Sequence, residues 1–202
     1  QRGFFSGMGW VVWQDIFGFV LTYSPEEAGL LKKCRTIFRE HRQALWSAHP
    51  TPLVQTLIPG VYANEFPGDG KRLWTLYNET NQRINDAVLQ VQPHQGCHFV
   101  DVWNNREVEV DEDGRLYLDL GPQSVSAVAE LPQILACSPD AQKVTLAEPI
   151  SDAVLQIRQA GGQWSESVDE QCVNIGRMRE NAAGPCMVRL LLDRELLDQI
   201  TI

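Results

Sequence analysis

Apolar residues along this chain follow three rhythms, and each predicts a different kind of element. Between Gly3 and Gly18 they are nearly continuous, through Phe4, Phe5 and Met8 to Trp10-Val11-Val12-Trp13, and they stop at the polar pair Gln14-Asp15. Such a run predicts a strand, Met8–Trp13, buried on both faces as in a parallel sheet. From Leu30 the spacing becomes three and four. Leu30, Leu31, Cys34, Ile37, Phe38, His41 and Leu45 are interleaved with Lys32, Lys33, Arg35, Arg39 and Glu40. That pattern predicts one amphipathic helix of about five or six turns, ending before His49-Pro50-Thr51-Pro52. Its start is marked by Ser24-Pro25-Glu26-Glu27, where Ser24 caps, Pro25 suits the first turn and Glu27 completes a capping box. His41 falls on the apolar side and reads as a satisfied, partly buried histidine rather than a ligand.

Beyond Pro52 the rhythm shortens to alternation punctuated by turns. Strands are predicted over Leu53–Ile58, Val61–Phe66, Arg72–Asn78, Asp86–Gln92, Cys97–Trp103, Glu107–Asp111, Arg115–Leu120 and Ser124–Leu131. Pro67-Gly68-Asp69-Gly70 and Asp111-Glu112-Asp113-Gly114 are turn sequences. Short strands at this spacing, with no crossover helices, predict an antiparallel Greek-key sandwich. Leu135–Gln142 reads as a linker. Lys143–Leu146, Ala153–Gln159, Val168–Ile175 and Met187–Leu192 then predict a second β module, with Gly161-Gly162-Gln163-Trp164 as a turn. A module of about 60 residues is marginal as an independent core, so it either docks on the first or is incomplete.

Charge narrows the classes of partner. A net charge of −9 argues against nucleic acid, which demands clustered Lys and Arg. Phe4–Tyr23 is broken by Gln14, Asp15 and three glycines (Gly7, Gly9 and Gly18). Its uninterrupted apolar part is shorter than the roughly 20 residues of a spanning helix, so no membrane partner is expected. Cys34, Cys97, Cys137, Cys172 and Cys186 contain no CxxC pair and read mostly as small apolar residues, with pairing of Cys172 and Cys186 left open. A core-like run at the very start, without an initiator Met, reads as the tail of something larger, which leaves the compartment undetermined.

The order of phrases carries a resemblance. Trp13-Gln14-Asp15 ends the first strand. After the capped helix come Val61-Tyr-Ala-Asn-Glu-Phe66, Leu73-Trp-Thr-Leu-Tyr-Asn78, Phe99-Val-Asp-Val-Trp103 and Gly114-Arg-Leu-Tyr-Leu-Asp-Leu-Gly-Pro-Gln-Ser-Val125. Over about residues 4–131 this resembles the C-terminal part of retaining glycoside hydrolases, in which a (β/α)8 barrel is followed by an α-amylase-like β domain. The implied fold class is mainly β. Residues 1–50 would be the last β/α unit of a truncated barrel, 51–134 an antiparallel Greek-key sandwich, and 135–202 a linker and small β module. The implied partners are the missing N-terminal barrel of the same polypeptide and a carbohydrate substrate, with catalytic carboxylates upstream. A stand-alone carbohydrate-binding or adhesion protein is the alternative.

Candidate chemistry is then confined to a few places. The C-terminal ends of barrel strands gather active-site residues, so the resemblance implies that Trp13, Gln14 and Asp15 bind substrate. The plainer reading is that Trp13 packs against the helix and Asp15 caps a turn. A lone carboxylate is not the spaced pair that glycoside hydrolysis requires. His94-Gln-Gly-Cys97-His98 offers three candidate metal ligands but no fourth, and Asp111–Gly114 lacks the rest of a calcium loop. No metal and no cofactor is expected. Asn78-Glu79-Thr80 matches a glycosylation pattern, for which a chance match is the stronger expectation, and Trp74, Tyr77 and Trp103 could form a sugar platform, for which burial in the core is the stronger one.

Overall fold

The computed structural model describes residues 1–8, 23–138, 140, 143–159, 162–167, 171–175 and 184–202. Among them the protein is mainly β, built of antiparallel sheets, with three helices: α1 (Arg2–Phe5), α2 (Pro25–Glu40) and α3 (Arg42–Leu45). The expected strand Met8–Trp13 lies almost wholly outside the described residues. Its approach is helical rather than extended, because one turn at Arg2–Phe5 drives Phe4 into full burial between Phe38 and Trp103, with ring centroids 5.5 and 5.0 Å away. Burying such a ring is worth about 1.5–3 kcal/mol, enough to override the strand pattern locally.

The capping box of α2 forms as expected: Glu27 N–H donates to Ser24 Oγ at 3.2 Å, and Ser24 N–H to Glu27 Oε2 at 2.9 Å. The predicted single helix is instead broken at His41, whose φ of −128° separates α2 from α3. His41 is fully buried and neither ring nitrogen has a hydrogen-bond partner among the described residues, contrary to the expectation of a satisfied side chain. Burial, and then the nearby Lys71 charge, hold its pKa well below the ordinary histidine value, so the ring stays neutral.

A six-stranded sheet forms the centre, in the order β1 (Thr51–Val54), β2 (Val61–Gly68), β3 (Lys71–Asn78), β8 (Ser124–Pro132), β5 (Cys97–Asp101), β6 (Arg106–Val108). A second layer pairs β4 (Ile84–Gln90) with β7 (Arg115–Leu120). Alternation divides the sheet's two faces. Val61, Ala63, Trp74, Leu76, Phe99 and Val128 meet Val88, Leu89 and the leucines of β7. Phe66, Leu73, Val125, Ala127, Ala129 and Leu131 meet Phe4, Cys34, Ile37 and Ala44 from the helices. The sheet is therefore buried on both sides.

The remaining strands make two further sheets around their own core. One orders β13 (Cys172–Asn174), β10 (Lys143–Leu146) and β9 (Leu135–Cys137). The other orders β12 (Ser165–Glu166), β11 (Ala153–Gln159), β14 (Cys186–Leu192) and β15 (Glu195–Thr201). Leu135–Cys137 is thus a strand and not the expected linker. Its entry is fixed by Asp198, whose Oδ2 accepts from Ile134 N–H at 2.7 Å and Leu135 N–H at 2.6 Å.

Leu191 and Leu196 of this second group join the helix-side core, and a polar seam surrounds them. Lys71 Nζ donates to Glu195, to Glu40 O at 3.2 Å and to Leu196 O at 3.1 Å, so its three protons reach a helix end and β15 together. Glu195 also accepts from Gln43 N–H at 3.3 Å. His98 Nε2 pairs with Asp198 at 2.6 Å, and Arg189 with Glu40 at 2.6 Å. Removing one partner of a buried pair leaves an uncompensated charge and costs about 3–5 kcal/mol. Urea unfolding of Lys71→Met or Glu195→Leu should each show a loss of that size. The double variant should recover most of it, because two apolar side chains leave no orphaned charge.

Candidate functional site

Strand β3 reads Lys71-Arg72-Leu73-Trp74-Thr75-Leu76-Tyr77-Asn78, and its period of two sends alternate residues to opposite faces. Leu73, Thr75 and Tyr77 turn to the helices, where Thr75 Oγ1 donates to Phe5 O at 2.6 Å and Tyr77 packs beside Phe5. Arg72, Trp74 and Leu76 turn to the β4–β7 layer. Register then places Arg72 directly opposite Glu130 of β8, while Glu65 of β2 faces Trp74 and lies diagonal to Arg72.

Those pairings build a polar site on that face. Arg72 Nε donates to Glu130 Oε2 at 2.6 Å and Nη2 to Gln92 O at 2.7 Å, and the guanidinium lies 4.9 Å from the Trp74 ring centroid. Glu130 is fully buried and also accepts from His94 N–H at 2.7 Å, with His94 Nδ1 at 2.9 Å. Burial by itself would raise the Glu130 pKa. Arg72 and the two His94 contacts outweigh it and hold the carboxyl below its ordinary value. Glu130 is therefore an ionised anchor and is unsuited to act as a general acid.

In front of this anchor lies a groove of about 570 Å3, walled by Val54, Leu57, Leu89 and Val91 and edged by Glu65 and the carboxamides of Gln55 and Gln92. Behind the Val91 wall sits Gly114, at φ +77°, whose carbonyl accepts from Val91 N–H at 2.8 Å. A Cβ there would stand 2.4 Å from Val91 O, so only glycine allows the turn to approach β4.

Trp13, Gln14 and Asp15, the residues expected to bind substrate, lie outside the described residues. The other motifs resolve into structure. Cys97 shares its face with the Arg72–Glu130 anchor whereas His98 points to Asp198 across the seam, so His94, Cys97 and His98 do not converge; no metal cluster occurs among the described residues. Asn78 is buried, giving both amide protons to Gln82 O and Gly121 O at 2.8 and 2.7 Å and accepting from Thr80. The glycosylation pattern is thus a structural knot. Trp74 is 2% exposed and faces away from Tyr77, and Trp103 is covered by Phe4 and Lys33, so the three form no common platform. Asp111 Oδ1 accepts from Asp113 N–H and Arg115 N–H, which makes Asp111–Gly114 a closed turn. Arg72, Glu130 and Glu65 were not singled out from sequence. The available signal was charge at positions of β3 and β8 that alternation commits to a covered face.

No protein-family model matches the chain, and no curated protein matches it. Among solved structures it is similar to the gamma-CGTase of alkalophilic Bacillus clarkii, at 15% identity and a TM-score of 0.35. The alignment covers 86% of this chain and 28% of that one, so the chain spans well under a third of that structure.

The Glu130 anchor has a pH signature. Its depressed folded pKa contributes stability that is present above the unfolded carboxyl value, about 4.3, and is lost as pH falls through the folded value. Glu130→Gln should lower stability at pH 7 by about 2–3 kcal/mol, the worth of its charge-assisted hydrogen bonds. In urea titrations the gap from wild type should close below about pH 4; a gap constant with pH would contradict this role.

Proposed function

We propose that this chain is the non-catalytic C-terminal region of a carbohydrate-active enzyme, a glycoside hydrolase whose (β/α)8 barrel precedes it in the same polypeptide. In this reading residues 1–50 supply the last β/α unit, with Trp13, Gln14 and Asp15 at the substrate cleft. Residues 51–134 buttress the barrel, and residues 135–202 form a smaller module docked on that buttress.

The observation that carries the reading is an apolar edge where the helices meet the sheet. Gly7 rests against Phe66 and Leu45, so their chain neighbours Met8 and Trp46 emerge together; they are 59% and 79% exposed. Asn64 ties Leu53 N–H to Phe5 O, bringing in Leu53, 64% exposed and held at φ +51°. Clustered exposed apolar side chains mark an interaction surface, and a strained backbone persists where its surroundings demand it. Of the phrases that carry the sequence resemblance, three occupy β2, β3 and β5 of the six-stranded sheet, and the fourth runs along β7 of the facing layer into the start of β8. Inactivity of the chain by itself is supported by its buried carboxylates. Among the described residues Glu130, Glu195, Asp198 and Asp101 are each engaged by internal donors, which leaves none of these four free to act as a hydrolytic acid or base.

The isolated chain should release no reducing sugar from α- or β-linked glucans, whereas the full polypeptide should turn one over. Trp46→Ser should change the stability of the isolated chain by no more than about 0.5 kcal/mol, as for an exposed residue, yet lower the melting temperature of the full polypeptide. Turnover by the 202 residues alone would overturn the reading.

A further inference from the structure

His41 is a buried group that neither the core nor a buttressing role explains. It stands at the break between α2 and α3, fully buried, with both ring nitrogens short of a hydrogen-bond partner among the described residues. An apolar side chain would fill the same place without that cost. The break itself is held from outside by an ion pair. Lys71 donates to Glu40 O at 3.2 Å, at the end of α2, and its partner Glu195 accepts from Gln43 N–H at 3.3 Å, at the start of α3. Four residues do not persist as a free helix, which needs about 12–15. The α3 turn therefore exists only while docked, with Ala44 buried on the β2–β3 hairpin. A Cβ on Gly68 would stand 3.1 Å from Ala44 Cα, so the two backbones meet directly.

A proton on His41 would meet no free counter-charge. Lys71 of β3, Arg42 of α3 and Arg189 of β14 already place cations around the break. Both carboxylates there are committed, Glu40 to Arg189 at 2.6 Å and Glu195 to Lys71 and the Gln43 amide. Arg2 of α1 is exposed, and Glu65 of β2 lines the groove on the opposite face of the sheet. A buried charge without a partner is expelled rather than tolerated. Neighbouring groups respond to acid in the other direction. Burial, opposed by Arg189, raises the Glu40 carboxyl above its ordinary value, so its own proton uptake favours the docked state. At His98 burial opposes the charge but Asp198 prevails, so acid tightens the contact between β5 and β15.

We propose that His41 is an acid-operated latch: its uncharged ring seals α3 against the β2–β3 hairpin, and its protonation frees residues 42–50, Trp46 among them, while the strands stay folded. The latch lies within this chain and does not rest on the barrel reading. Failure of that reading is seen in turnover by the full polypeptide, and failure of the latch in local exchange within the isolated chain.

The test is amide hydrogen exchange of the isolated chain, read by NMR on either side of about pH 6.5 and expressed as protection relative to intrinsic rates. The amides of Gln43, Leu45, Trp46 and Ser47 are hydrogen-bonded only while α3 is formed and docked. Below about pH 6.5, where the released histidine takes up a proton, their protection should fall by up to about tenfold per pH unit. Amides of β3, β8, β14 and β15 should stay protected over the same range. His41→Phe, or His41→Leu if the first does not fold, should abolish the slope, whereas His98→Gln should leave it. In the wild type, NMR of the His41 ring should show proton uptake only in the released form, a readout that needs no variant. Protection of α3 that is independent of pH, a loss shared equally by β3 and β8, a ring that titrates while α3 stays protected, or a wild-type slope in the His41 variant would each overturn the proposal.

Discussion

Covering the six-stranded sheet on both faces is the constraint that organises this protein. Each strand must satisfy two different neighbours with alternate residues, and a slip of one position would exchange them all. On β3 such a slip would turn Trp74 and Leu76 toward the helices and Leu73 and Tyr77 toward β4 and β7. The two faces also divide the work. One is a platform that clamps α1, α2, α3 and β15, and the other holds the β4–β7 layer and, at its margin, the Arg72 groove.

The clamp on the helical side is partly ionic, which makes it selective. Lys71, Glu195, Arg189 and Asp198 are almost fully buried, and burial of ions is repaid only when every hydrogen bond is made in register. Their partners come from α2, the β2–β3 hairpin, β5 and β15, so docking of the second strand group in another orientation would strand charges. Two histidines at this seam respond to pH in opposite senses. Burial opposes the charge on His98, but Asp198 and then Glu107 overcome it and raise its pKa. Its contribution is present below about pH 6.5 and lost as pH rises through the folded value. His41, held neutral, instead loses stability as pH falls below about 6.5, where the unfolded chain takes up a proton.

Much of this was legible in the chain. Ser24-Pro25-Glu26-Glu27 announced the start of α2, and alternation located most strands from Val61 to Leu192. β15 escaped because Glu195, Asp198 and Gln199 look like surface residues, and only the seam explains their burial. β9 escaped because Leu135–Cys137 is short and is held by an acceptor from Asp198, 63 residues away. The Arg72–Glu130 anchor joins residues 58 apart, a pairing that register sets and local sequence does not. Trp74 and Asn78, which invited functional readings, turned out to be committed to packing and to turn closure.

This account has the sheet, the helices and the second strand group folding as one body through a single buried seam. Native-state hydrogen exchange across a urea series tests that claim most directly. Amides of β3 and β8 and those of β14 and β15 should merge into one opening isotherm, with the same free energy and the same dependence on urea. Exchange of β14 and β15 through a separate opening, at lower free energy, while β3 and β8 remain protected would contradict it.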